Sequence, residues 1–162
     1  MHKLSPKSLS NLSNVHPDLV KIVLTTIEIS LVDLGISRGH STKEFQFELF
    51  KKGRAFDGKN WNVINPKDVV TNCDGYTKPS EHNNYPSTAI DFFAVVAGFP
   101  NEIYNQLHIG YIAATMQTVA KMLYDNGEIS HLLTWGANWD NDGVLLFDQK
   151  LQDLCHVQIY KP

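Results

Sequence analysis

His82, Asp91 and His156 are residues whose types suit one metal ion, and Asp153 stands three positions before the last of them. Two imidazoles and one carboxylate leave the fourth corner of a tetrahedron for water, the arrangement of a catalytic zinc rather than a structural one. Water at that corner ionises near neutral pH. Splitting an amide also needs a carboxylate to take the water's proton and hand it to the departing amine, and Asp153 is placed for this work. Glu81 competes by adjacency to His82, but neighbouring side chains tend to point to opposite faces. Seven histidines in 162 residues justify the search, because neutral imidazole is the commonest metal ligand. The competing reading is a set of hydrogen-bonded core and surface histidines, the role assigned to His2, His16, His108 and His131.

The elements that must position these residues are legible as patterns. Ala89 to Val95 is apolar and β-compatible and carries Asp91. Cys155 to Tyr160 reads as a strand with His156, Gln158 and Tyr160 on one face and Cys155, Val157 and Ile159 on the other. Leu34–Ser37 and Leu132–Trp135 are further short strands, and Asn138 to Gly143 is a turn by composition. Ser5-Pro6 opens a helix to about Leu12, and His16-Pro17-Asp18 opens a second with Leu19, Val20, Val23, Leu24 and Ile27 on one face. Ser41-Thr42-Lys43-Glu44 spells a capping box for a third, running to about Lys52 and closed by Gly53. A long helix is expected from about Asn101 to Asp125. Between them, Arg54 to Pro79 is an irregular excursion with a short strand expected near Val69 and Val70. With no repeat and no linker, this is one α+β domain over residues 1–162, with helices first and then a small, mainly antiparallel sheet.

Composition narrows the function classes. A chain of this length with 43% hydrophobic and 19% charged residues holds a core without disulfides. Fourteen basic against 17 acidic residues, a net charge of −3 and no basic stripe exclude nucleic acid as the expected partner. Cys73 and Cys155 are too few for a stapled secreted domain and match no paired-cysteine zinc spacing. Met1-His2-Lys3-Leu4-Ser5-Pro6 leads into polar residues, so no signal peptide is expected. The apolar-leaning stretch from Leu19 to Leu34 is broken by Lys21, Glu28 and Asp33, so no membrane insertion is expected. Asp140-Asn141-Asp142-Gly143 is rich in oxygen but too short for a calcium loop.

Two ordered blocks carry a family resemblance. Val69-Val70-Thr71-Asn72, Ser80-Glu81-His82-Asn83 and Ala89-Ile90-Asp91-Phe92 resemble the first metal block, Ser-x-His then Ala-x-Asp, of the zinc D-alanyl-D-alanine carboxypeptidase and L-alanyl-D-glutamate endopeptidase family. Trp135-Gly136-Ala137-Asn138-Trp139 and Asp153-Leu154-Cys155-His156 resemble its second block, Trp-Gly-x-Asp-Trp then Asp-x-x-His. Val15 to Val20 and the Gln46 helix ending at Gly53 resemble the phage endolysin branch.

The resemblance implies a hedgehog/DD-peptidase-like fold, Zn²⁺ held by His82, Asp91 and His156, and Asp153 as catalytic base. Ser80, Arg38, His40 and Trp139 are the candidate substrate-binding residues. It further implies a monomeric phage-type endolysin that hydrolyses the L-alanyl–D-glutamate bond of peptidoglycan stem peptides, staying in the host cytoplasm until lysis and then reaching the wall. Three features depart from the pattern. The segment Asn83–Thr88 is two residues longer and lacks Gly; Gly39-His40-Ser41-Thr42 stands where the family has Gly-x-Arg-Ser/Thr, with Arg38 nearby; and Asn138 replaces an Asp. A D-Ala-D-Ala carboxypeptidase or dipeptidase, a non-catalytic wall-binding or phage structural module, and a two-His-one-carboxylate iron oxygenase are the alternatives.

Overall fold

Both N-terminal helices start on a polar side chain followed by proline. Ser5 Oγ accepts the Ser8 N–H and Pro6 opens α1 (Pro6–Asn11); His16 Nδ1 accepts the Asp18 N–H and Pro17 opens α2 (Pro17–Ile29). The computed structural model describes residues 2–145 and 152–162. It continues through β1 (Asp33–Arg38), α3 (Lys43–Lys51), a hairpin of β2 (Arg54–Phe56) and β3 (Trp61–Val63), β4 (Ala89–Val95), α4 (Gln106–Asp125), β5 (Leu132–Trp135) and β6 (His156–Tyr160). The four longer strands form one antiparallel sheet in the order β1-β4-β6-β5. The α+β class read from the sequence is the one observed.

Strand alternation divides this sheet into an apolar and a polar face. Ile90, Phe92 and Ala94 of β4 and Val157 and Ile159 of β6 are buried against Leu19, Ile22, Val23 and Ile27 of α2 and Ile109, Ile112, Met116 and Val119 of α4. Each of the valine, leucine, isoleucine, phenylalanine and methionine side chains contributes about 1.5–3 kcal/mol of transfer free energy. Asp91, His156 and Gln158 alternate with them and point to the other face. That face is roofed by α3, the excursion after it and the turn after β5, whose residues share one cleft with it.

Several expected boundaries move, each for a local reason. No strand forms at Val69 and Val70: a short 3₁₀ turn at Pro66–Asp68 precedes them, and the excursion's strands are β2 and β3 instead. The cap of α3 is Thr42, whose Oγ1 accepts the Phe45 N–H, while Ser41 is buried and gives its N–H to the His82 carbonyl. The long helix begins at Gln106 rather than near Asn101, because Asn105 caps it through Leu107 and the Ile103 carbonyl is already taken by the Ala94 N–H. In α2 Ile22 is buried and Leu24 exposed, as the three- and four-residue spacing from Leu19 requires.

Candidate metal centre

Three adjacent strands set three polar residues in a row. Asp91 of β4 lies directly across the ladder from His156 of β6, and Arg38 of β1 pairs with Asp91 from the other side. That last pairing depends on an irregularity. β1 and β4 run in step as far as Ile36–Phe92, and the register then shifts so that Arg38, not Ser37, meets Asp91. Bulges re-aim side chains, and here the Arg38 Nε donates to Asp91 Oδ2 at 2.7 Å.

His82 enters from outside the sheet on a one-turn 3₁₀ segment, Glu81–Asn83. Ser80 Oγ accepts the His82 N–H, and the Asn83 side chain accepts the Ser80 N–H, a reciprocal cap that fixes the turn. The imidazole is fully buried, and its Nδ1 lies 2.8 Å from the Gly39 carbonyl. Gly39 must be glycine for this: a Cβ there would fall 2.0 Å from the Asn11 carbonyl oxygen of α1.

The surroundings of each ring decide which nitrogen carries its proton. His82 Nδ1–H donates to Gly39 O, leaving Nε2 as a lone pair. His156 Nε2 meets Gln158 Oε1 at 3.1 Å and donates there, leaving Nδ1 as a lone pair. Those two nitrogens and Asp91 Oδ1 form a triangle with sides of 3.2, 3.3 and 3.0 Å. A tetrahedral ion with bonds of about 2.0–2.1 Å requires ligand spacings of about 3.3 Å. Three acceptors aimed at one point fit a cation. Without one, a proton relieves the repulsion: although burial opposes charge on His156, its hydrogen bond to Asp91 and the Asp91 charge raise its pKa above the ordinary value. Burial keeps His82 low. Burial would raise Asp91, but the hydrogen bond from His156 and the Arg38 charge hold it far below the usual carboxylate range.

Asp153 is anchored by its backbone beside this triangle. Its N–H donates to the Gly136 carbonyl, its carbonyl accepts the His156 N–H, and the Gly136 N–H donates to the His156 carbonyl. A Cβ on residue 136 would lie 2.1 Å from the Asp153 carbonyl oxygen, so Gly136 permits the approach. Burial, reinforced by the Asp91 charge, pushes the Asp153 carboxyl up. Two neighbouring carboxyls driven in opposite directions is the pattern that separates a fixed anion from a proton carrier. Burial, and then the Asp153 and Asp91 charges, push the Cys155 thiol up to about 12, which disfavours the reactive thiolate.

Among the residues singled out by sequence, His82, Asp91, His156, Asp153, Ser80, Arg38 and Trp139 line one cleft of about 570 Å³. The Trp139 ring stands 5.3 Å from that of His156. His40 does not line this cleft; it borders a neighbouring pocket, its ring edge-on to Tyr85. Glu81 also lines the cleft, with its carboxylate accepting from Asn84 and Thr88, and Trp135 serves the sheet, its indole donating to the Leu154 carbonyl. Sequence reasoning missed Gln158 and Gly39 as partners of the two imidazoles, and Arg38 as a partner of Asp91. Gln158 was legible as a neighbour of His156 on one strand face; the other two depend on the bulge and on a tertiary approach. Gln46, buried in α3, ties the cleft's far wall by donating to Thr71 Oγ1 and the Cys73 carbonyl.

A second group of the same residue types, His16, Asp18 and His131, lies near the surface. Asp18 Oδ2 accepts the Ser130 N–H at 2.9 Å and faces His131 Nδ1 at 2.7 Å, while His16 Nδ1 accepts the Asp18 N–H. The group ties the start of α2 to the approach to β5.

The fold resembles a solved structure, that of the Serratia marcescens L-Ala D-Glu endopeptidase ChiX, with a TM-score of 0.65, 21% sequence identity, and coverage of 99% of this chain and 90% of that one. No curated protein sequence matches. The model of the phage L-alanyl-D-glutamate peptidases, however, matches residues 1–160. With that match extending through both metal blocks, this chain belongs to the phage L-alanyl-D-glutamate peptidase family.

Proposed function

We propose that the protein is a zinc hydrolase of the L-alanyl–D-glutamate bond in peptidoglycan stem peptides, with His82, Asp91 and His156 as the ion's ligands and Asp153 as the catalytic acid–base. The observation that carries this reading is the triangle of three lone-pair atoms, two of them imidazole nitrogens whose protons are committed elsewhere. Held by His82, Asp91 and His156, a zinc ion would supply Lewis acidity toward a carbonyl and bring water's ionisation near neutral pH.

The chain's own residues do the rest. Asp153 takes the proton from water as it attacks the alanyl carbonyl carbon, and delivers it to the D-glutamyl nitrogen as the C–N bond breaks. Its raised pKa suits a group that must both accept and release that proton. Arg38 acts through Asp91, holding Oδ2 so that Oδ1 faces the imidazoles; this is a positioning role. Trp139 and Ser80 shape the cleft wall. The reading takes the protein to act as a monomer. No described helix is long and apolar enough to cross a membrane, and the proposed route is accumulation in the host cytoplasm followed by release onto the wall at lysis.

The test is digestion of purified peptidoglycan with zinc and with chelator, reading fragments and new amino ends by mass spectrometry. Chelator-sensitive release of stem peptides beginning at D-glutamate, abolished in Asp153→Ala, is expected. Loss of terminal D-alanine alone would assign a carboxypeptidase, and zinc binding without cleavage would assign a binding module.

A further inference from the structure

An L-alanyl–D-glutamyl bond constrains its surroundings. Its nitrogen belongs to a residue with two carboxyl groups, and the chain continues through at most one of them. Unless it is amidated, the other is a free carboxylate within a few bonds of the scissile nitrogen. The cleft floor carries Asp91 and Asp153, whose charges are matched there by Arg38 and would be matched by a bound zinc ion, so recognition of the substrate carboxylate falls to a cation that is not already engaged.

Two cations line this cleft among the described residues, Arg38 and Lys52. Arg38 is committed to Asp91 at 2.7 Å and offsets that charge. Lys52 has no ion-pair or hydrogen-bond partner for its ammonium among the described residues. Its backbone, by contrast, is fixed: it is the C-cap of α3, with its N–H donating to the Leu49 carbonyl. Phe45 and Leu49 of the same helix line the cleft beside it, giving its methylene stem an apolar surface to lie along. The adjacent Lys51 makes the contrast plain, since it is used within the helix, paired with Glu48 at 2.5 Å and lying over the Phe47 ring.

We infer that Lys52, at the α3 end of the cleft lining, is the specificity residue that receives the free carboxylate of the D-glutamyl residue. This rests on the reading of the cleft as an L-alanyl–D-glutamate hydrolase site. Lys52 binds substrate before and during the reaction alike, so its loss appears in KM rather than in kcat.

The experiment uses the zinc-loaded protein and two synthetic peptides containing L-alanyl–D-glutamate, identical except that the free glutamyl carboxylate is a primary amide in the second. A charge-assisted contact in a solvated cleft sets the expected preference of the wild type for the carboxylate peptide at about tenfold in kcat/KM. Lys52→Met is expected to erase that preference through KM, and Lys52→Arg to keep most of it. Raising the ionic strength is expected to shrink it in the wild type. A wild type that cleaves both peptides equally, or a Lys52→Met variant that retains the preference, overturns the assignment of Lys52 while leaving the hydrolase reading intact. A wild type that cleaves neither peptide nor peptidoglycan overturns both.

Discussion

The two groups of two histidines and one aspartate use the same side chains to opposite ends. At His82, Asp91 and His156 the ring protons are drawn outward by Gly39 and Gln158, so lone pairs face lone pairs. At His16, Asp18 and His131 donors already face acceptors: Asp18 Oδ2 takes the Ser130 N–H and meets His131 Nδ1, and the His16 lone pair takes the Asp18 N–H. The first group is left with an unmet demand for positive charge, and the second has its demand met by the protein itself. Residue identity and proximity are the same in both; what differs is where the protons go, which the outer partners decide.

The contrast is broken most severely by removing a ligand from each group. His82→Ala is expected to lower bound zinc from about one ion per chain to none and peptidoglycan cleavage by about 10⁴-fold or more, whereas His131→Ala keeps both. Metal content by mass spectrometry of the purified variants checks this. Equal zinc in the two variants would mean the triangle is not the metal site. Next in size is Asp153→Asn, which removes the proton carrier but no ligand. Its kcat should fall about 10²–10⁴-fold with zinc content unaltered, and a variant that loses zinc as well would make Asp153 a fourth ligand.

Smaller effects test the outer partners. Arg38→Met frees Asp91 Oδ2 and is expected to weaken zinc binding by about 10–100-fold, read in a competition titration with a chromophoric chelator. The same titration has a pH dependence whose sign is fixed by His156. Zinc requires its neutral form, and Asp91 raises its pKa above 6.5, so protons compete as pH is lowered and apparent affinity falls, beginning above that value. Affinity that holds constant from neutral pH into the acid range would contradict the tautomer assignment.

How far the sequence reveals all this follows from range. Asp91 and His156 lie in strands that alternation identifies, and caps such as Ser5-Pro6 and His16-Pro17 are local devices, so their elements are legible. Arg38 is not: one unpaired residue at Ser37 swings it onto Asp91, and no pattern in Leu34–Ser37 announces a bulge. The strands of the excursion were missed for a related reason, because β2 and β3 are three residues each and too short to establish a period. His40 illustrates the converse: standing in the stretch where the family has Gly-x-Arg does not carry its ring into the cleft, and it borders the neighbouring pocket instead.

The smallest expected effect belongs to the second group and sharpens the comparison from its other side. Burial would raise the Asp18 carboxyl, but hydrogen bonds from His131 and Ser130 outweigh it and hold the pKa below the ordinary carboxylate value. A folded-state pKa depressed in this way adds stability that is fully present above the unfolded carboxylate pKa and is lost as pH falls through the folded one. Asp18→Asn removes that contribution. At neutral pH the variant is expected to be less stable by about 1–2 kcal/mol, a fall in Tm of about 3–6 °C. The gap between variant and wild type should close as the pH is taken below the carboxylate range, because the wild type then loses the same interaction by protonation. Thermal unfolding followed by circular dichroism from pH 7 to pH 3 measures both. A gap that widens in acid would reverse the sign assigned to Asp18, and a loss of bound zinc in this variant would mean that the two groups are not as different as their protons indicate.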